Sequence, residues 1–140
     1  MGVDVAVIGG GPCGLLAAME IAKGGFEVLV FEEHREIGIP EHCAGLISLK
    51  GLRALNVSNS FIRNYINGAN IYSPSGVVLS VSRDECQAVV IDRAKFDKAI
   101  AGLAEKRGVN ILVGNKVKRV EVSSNRVKVE KAFGDVEARY

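Results

Sequence analysis

Gly9, Gly11 and Gly14 follow directly on the apolar run Val5 to Ile8 and stand at G-x-G-x-x-G spacing. No other feature of the chain restricts its fold so closely. The run is continuous rather than alternating, which suits a strand buried on both faces. Beyond the last glycine, Leu15, Ala18, Met19 and Ala22 recur at intervals of three and four, the pattern of one helix face, and Gly24-Gly25 supplies a stop. A strand that turns at once into a helix gives each glycine its own task. Gly9 permits the tight turn, Gly11 leaves room for a pyrophosphate against the backbone, and Gly14 lets helix and strand approach closely. The helix N-terminus offers N–H groups and partial positive charge to the phosphates.

A second apolar strand, residues 28–31, ends at Glu32, eighteen positions beyond Gly14. In a dinucleotide fold, a carboxylate there accepts hydrogen bonds from the adenosine ribose hydroxyls. The alternative is an exposed acid at a strand end. A carboxylate at this point also disfavours a 2′-phosphate, so NADP is not expected in this seat. The spacing indicates a dinucleotide and leaves open which one.

Residues 33–47 break the periodicity and form a loop with Gly38, Pro40, His42, Cys43 and Gly45. A short helix is predicted over 48–55. Strands follow at 69–72 and 77–81, joined by the turn Ser73-Pro74-Ser75-Gly76, and another at 88–91. Asp92 is placed to cap a helix over 94–107, with Phe96, Ile100, Leu103 and Ala104 on one face and Gly108 closing it. Residues 109–113 suit a third parallel strand. The remainder reads as an antiparallel meander, with turns at Ser123-Ser124-Asn125 and Gly134-Asp135. The expected fold class is α/β: a Rossmann-like domain with a parallel sheet plus an antiparallel β-meander, residues 1–140 forming one domain.

The 140 residues suffice to bury about two-thirds of the unfolded surface. A formal charge of +2 argues against nucleic acid as a partner. The three cysteines, Cys13, Cys43 and Cys86, lie far apart without a C-x-x-C pair, which points to a reducing compartment and a cytoplasmic location. No apolar run reaches the roughly 18 residues of a membrane span. His42 and Cys43 are adjacent and lack partners at ligand spacing, so no metal site is expected. His34 and His42 read as solvated loop histidines, and Lys116-Val117-Lys118-Arg119 as a solvated strand face.

The glycine turn, Glu32-Glu33, the loop Pro40-Glu41-His42-Cys43-Ala44-Gly45 and the segment Val90-Ile91-Asp92-Arg93-Ala94-Lys95-Phe96-Asp97 together resemble the N-terminal part of geranylgeranyl reductases, in particular the archaeal digeranylgeranylglycerophospholipid reductases. That family has a flavoprotein monooxygenase-like fold. The resemblance implies FAD as cofactor and a full-length enzyme in which reduced FAD delivers hydride to C=C bonds of isoprenoid lipid chains. It implies an isoprenoid lipid substrate and an electron donor as partners, with peripheral membrane contact following from the lipid. It implies that Gly9, Gly11, Pro12, Cys13 and Gly14 lie against the pyrophosphate and that Glu32, with Glu33 beside it, serves the adenosine ribose. Cys43, Ala44, Gly45 and Leu46 would approach the isoalloxazine, with Cys43 as the candidate catalytic group. Arg93 would contact the cofactor, and the backbone at Val117 the adenine. Taken without the resemblance, Cys43 is an ordinary buried thiol and Arg93 an exposed helix-start arginine.

The chain departs from the family pattern in three respects. It ends before the family's second FAD motif, it lacks a lipid-holding domain, and Cys13 stands where glycine or alanine is common. The expectation is an incomplete part of a larger flavoprotein, inactive as an isolated 140-residue chain. Two alternatives stay open: another FAD-dependent oxidoreductase or monooxygenase on the same scaffold, such as an aromatic-ring hydroxylase, and a non-catalytic dinucleotide-binding module. The isoprenoid, the donor and the oligomeric state are not encoded in these residues.

Overall fold

A computed structural model describes residues 2–124, 126–131 and 134–140. In chain order the elements are β1 (Gly2–Val3), β2 (Val5–Ile8), α1 (Pro12–Lys23), β3 (Val28–Phe31), β4 (Leu46–Ser48), α2 (Leu49–Ala54), β5 (Ile62–Ile66), β6 (Gly68–Tyr72), β7 (Val78–Ser82), β8 (Ala88–Ile91), α3 (Arg93–Lys106), β9 (Asn110–Leu112), β10 (Val117–Val122), β11 (Val127–Lys131) and β12 (Asp135–Ala138). They divide into two compact units, one of residues 1–41 and 97–140, the other of residues 42–96.

In the first unit, β2, β3 and β9 form a parallel sheet in the order β2-β3-β9. The central place of β3 explains its sequence: a strand flanked on both sides and covered by α1 has no wet face, and Val28, Val30 and Phe31 are all buried. Leu15, Ala18 and Met19 are the buried face of α1, as their spacing predicts. The meander is present as β10-β11-β12, all antiparallel. β1 adds to its edge in parallel with β12, an association of the chain's two ends that local patterning does not reveal. Asn125, in the predicted turn between β10 and β11, lies outside the described residues.

β2 is less buried than its apolar run suggests. It is an edge strand of this sheet, its residues are half-buried, and Ile8 is 55% exposed. The reason lies at its C-terminal end, where Ile8 faces a cleft rather than a core.

In the second unit, β8 is the centre of an antiparallel sheet, β4-β8-β5. β4 begins within the segment expected to be loop, and β5 was not marked by the sequence pattern because Arg63, Asn64 and Tyr65 are exposed and give no alternation. The Phe61 and Phe96 rings meet edge to face, 5.2 Å between centroids. β6 and β7 form a two-stranded ribbon whose turn is held by the Gly76 N–H donating to the Ser73 carbonyl (3.0 Å). Asp92 caps α3 as expected, its Oδ1 accepting from the Lys95 N–H at 2.9 Å, and Oδ2 pairs with Arg63. Among the described residues no helix is long and apolar enough to cross a membrane.

Leu15 is fully buried at the contact of α1 with the sheet. Leu15→Ala is expected to cost about 3 kcal/mol, read as a lowered urea midpoint by far-ultraviolet circular dichroism.

Candidate functional site

The C-terminal ends of the parallel strands are where this fold class presents ligand-binding loops. Here the ladder continues just past the strands. The Gly9 N–H donates to the Phe31 carbonyl (2.8 Å), the Glu32 N–H to the Leu112 carbonyl (2.9 Å), and the Asn115 N–H to the Glu32 carbonyl (2.7 Å). These bonds carry the glycine turn, the 32–34 segment and the 114–117 segment to one edge. Ile8, Gly9, Phe31, Glu32, Glu33, His34, Asn115, Lys116 and Val117 line a cleft of about 260 Å³ there.

Each glycine of the motif has a distinct geometry. Gly9 has φ +104°, a conformation side chains disfavour. At Gly14 a Cβ would lie 2.1 Å from the Gly9 carbonyl oxygen, so helix and strand meet only because no side chain is there. At Gly11 a Cβ would meet nothing within 4 Å, leaving open space over the turn. Gly11 is the N-cap of α1, without a capping side chain; Pro12 follows, and the first turn carries no acid. Cys13 is exposed on that turn. An uncapped helix N-terminus beside open space is suited to an anion.

Glu32 is the organising side chain. Its Oε2 accepts from the Gly10 N–H at 2.7 Å. Its Oε1 accepts from the His34 N–H at 2.9 Å and lies 2.6 Å from the His34 Nδ1. Burial opposes ionisation here, but the bonds from the His34 N–H, the Gly10 N–H and the His34 ring outweigh it, and the carboxyl sits below its ordinary pKa. Glu33 Oε2 pairs with the Lys116 ammonium at 2.7 Å, a contact that lowers the Glu33 pKa and raises that of Lys116.

The structure therefore brings Gly9, Glu32, Glu33 and Val117 together on one cleft, with Gly11, Pro12, Cys13 and Gly14 on the turn that continues from it. Gly10, His34, Asn115 and Lys116 escaped the sequence reading. His34 is not simply a solvated loop histidine, and Lys116 is not simply part of a wet strand face. Gly10 is silent in the G-x-G-x-x-G spacing, and the pairings of His34 and Lys116 are made in space.

Cys43, Ala44, Gly45, Leu46 and Arg93 lie in the second unit. Gly45 has φ +73°, and a Cβ on it would lie 2.4 Å from the Ile91 carbonyl oxygen and 3.4 Å from Arg93 Cγ. The Ile91 N–H donates to the Gly45 carbonyl at 2.9 Å, so the loop is clamped beside the start of α3. Cys43 is exposed rather than buried, and its Sγ accepts weakly from the Gly45 N–H at 3.5 Å. Arg93 is half-buried, not exposed as its position at a helix start suggests. Leu46 is exposed where β4 pairs with Val90.

Glu32→Gln is expected to weaken the turn by about 1–3 kcal/mol, because one amide replaces acceptors with donors facing N–H groups. A carboxyl with a lowered folded pKa contributes stability that is present above its unfolded pKa and lost as pH falls through the folded value. Urea midpoints measured from about pH 7 down to about pH 3, across the ordinary glutamate range, should therefore fall less steeply in the acid range for the variant than for the parent. Gly14→Ala is expected to cost about 2 kcal/mol or more through overpacking, by the same measurement.

Residues 7–46 match the family model of the NAD(P)-binding Rossmann-like domain. The chain is 39% identical over 110 residues to the digeranylgeranylglycerophospholipid reductase of Methanocaldococcus jannaschii, a match covering 79% of this chain and 28% of that protein. Among solved structures it is similar to a geranylgeranyl bacteriochlorophyll reductase-like protein from Thermoplasma acidophilum, with a TM-score of 0.83, 33% identity, and coverage of 99% of this chain and 37% of the other. p-Nitrophenol 4-monooxygenase from Pseudomonas putida shares the fold, with a TM-score of 0.79 at 19% identity and coverage of 99% and 40%. The matches span 28% and 30% of the length of the first two curated relatives. The chain is thus similar to geranylgeranyl reductases over most of its own length, and it has a Rossmann-like α/β fold.

Proposed function

We propose that residues 1–140 are the FAD-binding region of a flavin-dependent oxidoreductase that reduces C=C bonds of geranylgeranyl chains in isoprenoid lipids. The observation that carries the cofactor assignment is the Glu32 carboxylate, bonded to the Gly10 N–H and facing a cleft at the edge of the parallel sheet. A half-buried acid in that position suits the hydroxyls of an unphosphorylated adenosine ribose. The glycine turn fits the rest of the ADP half, since Gly11 leaves open space beside an uncapped helix N-terminus. The choice of FAD and of a lipid substrate is supported by the likeness to reductases at 33% to 39% identity.

On this reading Gly9, Gly11, Pro12, Cys13 and Gly14 hold the pyrophosphate through backbone N–H groups and the helix dipole. Glu32 accepts from the ribose, Glu33 orders the cleft rim, and Val117 offers backbone to the adenine. Cys43, Ala44, Gly45 and Leu46 form the surface for the flavin ring, with Cys43 as the group beside the reacting end, and Arg93 supplies a permanent cation to cofactor oxygens. Bound FAD would supply the hydride chemistry, with a proton and an external electron donor needed to complete each turnover. The protein's own part is to bind, orient and polarise.

The gene product containing this chain is expected to purify with FAD near one equivalent, read as visible flavin absorbance. With reduced flavin it should add two hydrogens per double bond to a geranylgeranyl lipid, read by mass. Absence of flavin together with no uptake on reconstitution overturns the cofactor assignment; bound flavin without mass gain overturns the substrate.

A further inference from the structure

We propose that Glu33 is a specificity determinant of the cleft: by holding Lys116 it withholds that ammonium from the 2′-phosphate of a phosphorylated adenosine, reserving the site for ligands with a free ribose. The inference rests on the reading that this cleft takes the ADP half of a dinucleotide.

Three observations lead to it. Glu33 and Lys116 line the same cleft as Glu32, and Glu33 Oε2 lies 2.7 Å from Lys116 Nζ. The backbone fixes that meeting, because the Asn115 N–H donates to the Glu32 carbonyl at 2.7 Å and so sets Lys116 beside Glu33. The fixed charges on the lining are then two carboxylates against one ammonium, a balance that repels a phosphate dianion. Lys131 is also close by, bonded through Nζ to Asn115 Oδ1 at 3.2 Å and 5.9 Å from the centre of the Phe31 ring, and Arg35 lies beside Gly114.

The Glu33–Lys116 pair is largely solvated, its side chains 46% and 69% exposed. Such a pair adds little to stability. Its chemical effect is on what approaches the cleft. Glu32 alone already disfavours a 2′-phosphate; the pair removes the nearest group that could compensate for one. With Glu33 neutralised, Lys116 is released toward the cleft and can form a charge-assisted hydrogen bond to phosphate.

The test is calorimetric titration of the protein, Glu33→Gln and the double variant Glu33→Gln/Lys116→Gln with ADP and with 2′-phospho-ADP. Circular dichroism melts verify that all three are folded. The parent should favour ADP, and Glu33→Gln should move the ratio of the two affinities about tenfold toward 2′-phospho-ADP, the scale of one charge-assisted contact. The double variant should return the ratio to the parent's, and raising salt should shrink the gain. If ADP binds the parent but Glu33→Gln leaves the ratio unchanged, the inference fails while the cofactor reading stands. A gain that persists in the double variant overturns it as well, because Lys131 or another group would then carry the contact. If the parent binds neither ligand, the underlying reading falls.

Discussion

The hydrogen bond from the Gly10 N–H to the Glu32 carboxylate, 2.7 Å long, ties the glycine turn to the end of the central strand. Everything else at this edge of the sheet follows from it. β3 is central and buried, so the position of Glu32 is fixed by the ladder rather than by its own side chain. Glu32 then holds the turn, and the turn sets the start of α1. The close approach also explains why Gly10 has no side chain. A Cβ there would lie 2.7 Å from Ile37 Cδ1 and 3.0 Å from Glu32 Cβ, pushing the carboxylate off its donor.

One carboxylate thereby gathers donors from the glycine turn and from His34. An ionised carboxylate has about four lone-pair sites. The Gly10 N–H, the His34 N–H and the His34 ring engage three, two of them on Oε1. Oε2 keeps capacity for one more donor. The group is only 13% exposed, so leaving it without these partners would strand a charge in a poorly hydrated place.

What was legible in the sequence was whatever the backbone period and a buried face decide. Val28 to Phe31 could be read as a buried strand because a central parallel strand has no polar side. Gly9 and Gly14 could be read because a positive φ and a 2.1 Å approach exclude other residues. β5 could not, since Arg63, Asn64 and Tyr65 are exposed and β8 organises the pairing from outside the segment. Lys116 could not be tied to Glu33 across 82 intervening positions of chain. Ile8 was misjudged in burial for a related reason: its strand runs out into a cleft, and an apolar residue there looks like a core residue until the neighbours are placed.

The two groups of candidate residues are also held by different physics. Around Glu32, three strand ends share a ladder, so the central position is limited by its neighbours on both sides. Around Cys43 the restraint is the clamp at Gly45, where a left-handed backbone brings the chain against the Ile91 carbonyl and the Ile91 N–H closes the contact at 2.9 Å. Cys43 and Ala44, just upstream, are exposed, and the bond from the Gly45 N–H to Cys43 Sγ is long and weak. The sheet edge holds its groups by a hydrogen-bonded ladder, and the loop holds its groups by one backbone clamp beside β8.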